Sequence, residues 1–99
     1  MVTELIFAPE AARDVAEACA WYEEQRPGLG EEFLGCLDAC LALTQRMPEL
    51  HAKVHESFRR ALVRRFPYAV FYEYDKGAIV IYALFHTSRH PDKWVRRLS

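Results

Sequence analysis

What this sequence lacks narrows it first. No stretch approaches the ~20 consecutive uncharged apolar residues of a membrane-spanning helix, and no basic region leads into a long apolar run near Met1. A cytoplasmic protein without a membrane segment is therefore expected. Cysteine is scarce: Cys19, Cys36 and Cys40 are an odd number that closes no disulfide framework and suits a reducing compartment. Cys36 and Cys40 stand four apart on one helix face, but no Cys or His pair follows at finger spacing, so they read as small packing residues. His51-x3-His55 and His86-x3-His90 fall where strand or turn is expected, a poor frame for two ligands on one helix. No metal ion or cofactor is implied. No internal repeat, linker or low-complexity segment interrupts the chain. Residues 1–99 are expected to form one domain, which at this size buries roughly 60–70% of the surface of its unfolded chain.

What is present is divided unevenly. The formal charge of −1 conceals two opposed halves. Residues 1–50 hold three basic side chains (Arg13, Arg26, Arg46) against ten acidic ones, for −7, and residues 51–99 hold ten basic against four acidic, for +6. Either one face is built to meet an anion, or an acidic helical layer lies beside a basic sheet within the domain.

The periodicity changes once. Residues 2–7 read as a strand ending at Ala8-Pro9, and Pro9 suits the first turn of a helix. Ala8 stands where a serine cap is expected, a loss of roughly 0.5–2 kcal/mol. Ala12, Val15, Ala16, Cys19 and Tyr22 recur at helical spacing as the buried stripe of helix one, which Pro27-Gly28 stops. A second helix is expected from Gly30 to Met47, ended by Pro48, with Phe33, Leu37, Cys40, Leu41 and Thr44 as its stripe. Gly35 inside that helix costs ~1 kcal/mol relative to alanine, which suggests close approach of the alanine-rich first helix.

After Pro48 the period becomes two. Segments near 51–55, 58–65, 68–75 and 78–86 read as strands, with Asp75-Lys76-Gly77 turning the last two into a hairpin and Pro67 marking a break. YAVFYEY and AIVIYALF are apolar on both faces, so these two strands should be central and covered. The fold class that follows is α+β: an N-terminal strand, an antiparallel helical hairpin, then a mainly antiparallel curled sheet of four or five strands. The segment HTSRHPDKWVRRLS, rich in charge and proline, is expected at the end of the sheet rather than in the core.

Several residues are candidates for contact with a target or partner. Arg59, Arg60, Arg64 and Arg65 cluster on one expected strand, where alternation would set Arg60 and Arg64 on one face and Arg59 and Arg65 on the other. Guanidiniums in such a cluster bind phosphate or carboxylate in fork geometry, or form a solvated edge paired with helix acids. Arg89 and Arg97 add to the same basic half, and Trp94 brings a large apolar area that anchors the tail or meets a partner.

The ordered series Trp21-Tyr22, Gly28-Leu29-Gly30, Phe66-Pro67-Tyr68, Phe71-Tyr72, His86, Arg89, Trp94 and Arg97 resembles the ParE branch of the RelE/ParE toxin superfamily, the toxins of plasmid stabilisation systems, over nearly the whole chain. The resemblance implies the toxin of a type II toxin–antitoxin system, with a cognate antitoxin as partner in a hetero-oligomer and DNA gyrase as the protein it inhibits by binding. Arg59, Arg60, Arg65, Arg89, Trp94 and Arg97 are then its binding candidates. RelE-like relatives instead cut messenger RNA on the ribosome, and under that alternative His86, Arg65 and Arg89 are the catalytic candidates of a metal-independent endoribonuclease. His86 would protonate the leaving 5′ oxygen, arginine would stabilise the phosphorane charge, and the ribose 2′-hydroxyl would be the nucleophile. A sequence pI of 6.4 leaves a third reading open, an inactive member that serves only as an antitoxin-binding and repressor-complex module.

Overall fold

The computed structural model describes residues 3–98, so Val2 of the expected first strand lies outside the described residues. The elements run β1 (Glu4–Phe7), α1 (Pro9–Gln25), α2 (Leu29–Arg46), β2 (Lys53–His55), β3 (Phe58–Leu62), β4 (Tyr68–Asp75), β5 (Ala78–His86) and α3 (Pro91–Leu98). The five strands form one sheet in the order β1-β5-β4-β3-β2, with β1 parallel to β5 and the other pairs antiparallel. This is the expected α+β arrangement, with β4 and β5 inside the sheet.

The helical hairpin is closed by a carboxylate. Gly28 takes the left-handed conformation (φ 90°) at the start of α2, where a side chain with a Cβ is strained. The Glu23 carboxylate, from the last turn of α1, accepts hydrogen bonds from the amides of Gly28 (3.0 and 3.1 Å) and Gly30 (3.0 Å). It thus satisfies amide donors that the first turn of a helix leaves unpaired. Gly30 is the close-approach glycine of the hairpin, since a Cβ there would stand 2.9 Å from the Cys19 carbonyl oxygen. Gly35, expected to serve that purpose, is exposed and a Cβ on it would meet nothing within 4 Å.

Helices α1 and α2 cover one face of the sheet. Phe33, Leu37, Leu41 and Thr44 of α2 are buried as expected, and Cys40 is half-buried. In α1 the stripe is rotated from the expected one: Ala11, Ala18 and Tyr22 are buried, while Ala12 and Ala16 are exposed. The rotation brings Asp14, spaced i+3 from Ala11 and i−4 from Ala18, onto the buried side.

A bulge in β5 organises the remaining core. The pairs Phe71↔Ala83 and Tyr72↔Ile81 leave Tyr82 as an extra residue, and side-chain alternation reverses there. Ile79 and Ile81 face the helices before the bulge, Leu84 faces them after it, and Ala83 turns to the other side. That second face holds Phe58, Ala69, Phe71 and Ala83, and α3 covers it. Trp94 stacks on Phe71 (centroids 5.0 Å, 28° between planes), and Leu98 is buried.

The expectation for the C-terminal segment is corrected here. It is a helix packed across the second face of the sheet, with Leu98 in the core, rather than a segment at the sheet's end, because an apolar second face needs a cover and Trp94 and Leu98, four apart, supply one. Asp92 in the first turn and Arg96 and Arg97 in the last suit the helix dipole. The strand expected over 58–65 also ends early, at Leu62. Arg65 adopts a left-handed φ of 72° in the turn that leads through Pro67 into β4.

One carboxylate joins three elements. Strand β1 pairs with β5 only as far as Ile81, so the outer edge of β5 continues without a strand partner. Asp14 Oδ2 accepts a hydrogen bond from the Leu84 amide (3.1 Å) on that edge and one from Arg97 Nη2 (2.6 Å), and Arg97 Nε meets Glu10 at 2.9 Å. Helices α1 and α3 and strand β5 are thereby tied together, with the Arg97 guanidinium 5.4 Å above the Phe85 ring.

Three substitutions test this packing by urea titration. Asp14→Ala strands the Leu84 amide and the Arg97 guanidinium and should cost about 1–3 kcal/mol; a loss under ~0.5 kcal/mol would show that water replaces the carboxylate at no cost. Gly30→Ala should destabilise by about 1–3 kcal/mol, since the Cys19 carbonyl cannot yield. Gly35→Ala should stabilise by about 0.5–1 kcal/mol. The opposite ranking would contradict the assignment of Gly30 as the close contact.

Candidate target-binding site

The motif residues converge on one corner of the sheet. Tyr22 is its centre, with ring centroids 5.1 Å from Trp21, 5.3 Å from Phe33, 4.9 Å from Phe66 and 6.1 Å from Tyr68. The Phe66-Pro67-Tyr68 turn locks to the end of β5, where the Thr87 amide donates to the Pro67 carbonyl at 2.8 Å. Because alternation reverses at Tyr82, His86 points toward Tyr68 (5.3 Å between centroids, T-shaped) and away from the face under α3. A shallow cleft of about 440 Å³ results, lined by Trp21, Tyr68, His86, Ser88 and Arg89 among others.

The groups in this cleft are suited to contact. Trp21 is 54% exposed, an unusual position for a large aromatic and one that offers a flat apolar platform. Arg89 is exposed, with its guanidinium 5.9 Å from the Phe85 ring, and presents fixed positive charge. Burial pushes the Tyr68 hydroxyl pKa up, opposed by the nearby charge of Arg89. His86 Nδ1 accepts from the Ser88 amide at 3.1 Å and lies 2.7 Å from the Ser88 hydroxyl. Among the described residues, Ser88 is the hydrogen-bond partner of His86. Asp14 and Glu17 line the adjoining cleft with His86, but Asp14 is committed to Leu84 and Arg97.

The other sequence candidates are distributed over separate surfaces. Arg60 and Trp94 line a cleft of about 150 Å³ on the α3 side, whose wall also includes His86 and Arg89. Arg59 faces the helices. Its Nη1 donates to the carbonyls of His51 (2.6 Å) and Glu49 (3.2 Å), so it holds the loop after α2. The side chain of His51, on the same loop, has its pKa lowered by burial and then by the Arg59 charge. Arg97 is engaged in the Asp14 and Glu10 ion pairs, and Trp94 is stacked on Phe71.

Arg65 lies elsewhere. It pairs with Glu32 at 3.3 Å on the rim of a groove along α2, and Arg64 borders the same groove. The face-sharing expected from strand alternation therefore does not apply to Arg64 and Arg65, since both follow the end of β3. Arg26 meets the other oxygen of Glu32 at 3.0 Å, and these two guanidiniums, Arg26 first, hold the carboxyl below its ordinary range.

Asp14, Glu23 and Glu32 are positioning residues that the sequence does not single out. Asp14 carried a signal, an acid at helical spacing between the small residues Ala11 and Ala18. Glu23 stood within Trp21-Tyr22-Glu23-Glu24 just ahead of Gly28, but nothing in sequence marks a carboxylate that caps the next helix rather than solvates its own.

The comparisons with known proteins agree with this geometry. No curated protein matches the chain in sequence. A solved structure described as a chromosomal ParDE TA system from P. aeruginosa has a similar fold, with a TM-score of 0.76 at 14% sequence identity, over 87% of this chain and 97% of that one. The family model for the ParE toxin of type II toxin-antitoxin system, parDE, matches residues 5–91. The protein whose strand, helical hairpin, bulged sheet and aromatic corner are described above belongs to the ParE toxin family of type II toxin–antitoxin systems.

Proposed function

We propose that this chain is a toxin that inhibits DNA gyrase by binding it in the cytoplasm, and that a cognate antitoxin holds it silent in a hetero-oligomer. The observation that carries the reading is the state of His86. Its Nδ1 is taken up by Ser88, and no carboxylate or lysine hydrogen-bonds to it among the described residues, so the cleft has contact groups without an assembled acid–base pair. Trp21 and Arg89 offer an aromatic surface and fixed charge, the residue types that dominate binding energy at protein interfaces. The antitoxin follows from family membership and from the structural neighbour, which is described as a ParDE toxin–antitoxin system.

One observation favours the endoribonuclease as a second reading. Arg60, His86 and Arg89 line a common cleft, so an RNA phosphate there would meet two guanidiniums and an imidazole. Arg65, the third catalytic candidate, borders the groove along α2 and is not part of that cleft. The ribose 2′-hydroxyl would attack the adjacent 3′ phosphorus and give up its proton to solvent, the bond to the 5′ oxygen would break, and His86 would have to donate a proton to that leaving oxygen.

Expression without antitoxin separates the readings. For a gyrase poison, His86→Gln should retain most of the toxicity, whereas Arg89→Glu should abolish it by replacing an attraction with a repulsion. DNA breaks should accumulate while messages stay intact. For the nuclease, His86→Gln should lower cleavage by ~10²–10⁴ and leave DNA whole, which would overturn the proposal. A wild-type chain with no effect on growth would leave only the antitoxin-binding module.

A further inference from the structure

The outward side of α3 carries cations that the fold does not use. Trp94 and Leu98 turn to the sheet, so at 3.6 residues per turn Arg96 points away from it and Lys93 stands on its outer flank. Both are exposed, whereas Arg97, on the other flank, is spent on Asp14 and Glu10. Arg89 stands just before the helix. Arg60 lies beside it on β3, in register with the Phe71 on which Trp94 stacks. These two are exposed as well, and among the described residues none of Arg60, Arg89, Lys93 and Arg96 has an ion-pair partner.

What surrounds these charges selects the partner. The exposed large apolar side chains of the described residues, Ile6, Trp21, Met47, Leu50, Val54 and Leu62, all lie outside α3 and the loop before it. A protein partner needs an apolar centre inside its polar rim, and the outer side of α3 presents none. An unpaired nucleic-acid strand needs aromatic rings on which bases stack, but Trp94 is stacked on Phe71 beneath the helix. Charge without apolar or stacking surface suits a partner that is itself a regular array of charge, and the backbone of a duplex is one. The acid on α3, Asp92, lies 3.5 Å from His90 and is outnumbered by the four cations.

We infer that the outward face of α3, with Arg60 and Arg89 beside it, holds the phosphate backbone of duplex DNA without reading its bases. Lys93 and Arg96 are three apart on the helix, which puts their Cβ atoms about 5–6 Å from each other, so the two can meet neighbouring phosphates. Arg60 and Arg89 meet the backbone at the start of the helix. The net charge of −1 does not oppose this contact. Glu10 and Asp14 are neutralised by Arg97. The outer acids of α1 and α2 lie across the sheet, two helix diameters or roughly 20 Å away, against a Debye length of about 8 Å in physiological salt. Contacts of this kind give dissociation constants of about 1–100 µM and no sequence preference. The inference goes beyond the proposed inhibition of gyrase and does not depend on it.

The test is fluorescence anisotropy of short labelled DNA duplexes of unrelated sequence, titrated with the full chain and no gyrase. All should bind alike, and affinity should fall by about 40–150-fold between about 0.05 and about 0.2 M salt, the slope of about three to four phosphate contacts. Lys93→Gln and Arg96→Gln should each weaken binding about three- to tenfold and take about one unit off the log–log salt slope. Their melting temperatures should match the wild type, because both side chains are exposed. Arg46→Gln, which removes an exposed charge from α2 on the other side of the sheet, should change neither affinity nor slope.

A wild-type chain that leaves every duplex free at about 0.05 M salt would overturn the inference; if that chain still stops gyrase, the proposed function stands without it. Duplex binding as expected beside an uninhibited gyrase would support the inference and sink the proposed function. Duplex binding whose slope is the same in Lys93→Gln, Arg96→Gln and the wild type would place DNA on another surface and overturn the assignment. Single-stranded RNA bound more tightly than the duplex would make RNA the occupant and overturn it as well.

Discussion

The structure depends on a central hairpin that is apolar on both sides. Val70, Tyr72, Ile79 and Ile81 turn to one face and Ala69, Phe71 and Ala83 to the other, all nearly inaccessible. A two-sided apolar hairpin in water must be covered twice. The α1–α2 pair covers one face and α3 the other, and the elements that carry contact residues are where they are because of these two covers. The bulge at Tyr82 is the pivot. It lets Leu84 join the helix-side core while Phe85 packs with the α3 side, and it leaves His86 beside Tyr68 rather than under Trp94. Bulges of this kind re-aim side chains near the ends of strands.

Electrostatics follow the same plan. The −7 and +6 halves of the chain meet inside the domain: Arg97 pairs with Asp14 and Glu10, Arg65 with Glu32, and Arg59 reaches toward Glu49 at 4.0 Å. The second explanation of the charge division, an acidic helical layer beside a basic sheet, is therefore partly realised. Some of the basic half is consumed in holding helices to sheet, and part of what is left outward lies on two surfaces. Arg60 and Arg89 share a cleft with His86, while Arg64, joined by Arg46 of the acidic half, borders the groove along α2.

Most of the fold was legible in the sequence because its signals were local. The change of period after Pro48 located the end of α2 and the start of the sheet. Asp75-Lys76-Gly77 predicted the hairpin, and Lys76 (φ 50°) and Gly77 (φ 78°) indeed supply the left-handed pair that such a turn requires. The missing parts depend on longer-range facts. The bulge is a matter of which amides pair across β4 and β5, so alternation read from β5 alone assigns residues after Tyr82 to the wrong side. Alternation through Arg64 and Arg65 failed because β3 ends at Leu62 and Arg65 is left-handed. Helix α3 was missed although Pro91, Asp92, Arg96 and Arg97 are suitable start and stop residues, because an eight-residue helix forms only against the face that Trp94 and Leu98 cover. Of the candidate residues, the sequence grouped Arg59 with Arg65, and His86 with Arg65 and Arg89; the structure keeps Arg89 beside His86, adds Arg60, sets Arg65 on the groove along α2, and gives Arg59 and Arg97 partners within the fold.

On the proposed function, toxicity is a matter of binding, with the Trp21, His86 and Arg89 corner as a contact surface and no proton transfer at His86. The most direct measurement is supercoiling of relaxed plasmid by purified DNA gyrase in the presence of the purified chain, run beside translating ribosomes programmed with a defined message. The account predicts that supercoiling stops and cleaved DNA accumulates once the chain reaches about the concentration of gyrase, while the message stays whole. Messages cut on the ribosome by far fewer copies of the chain than of ribosomes, with supercoiling unaffected, would contradict it.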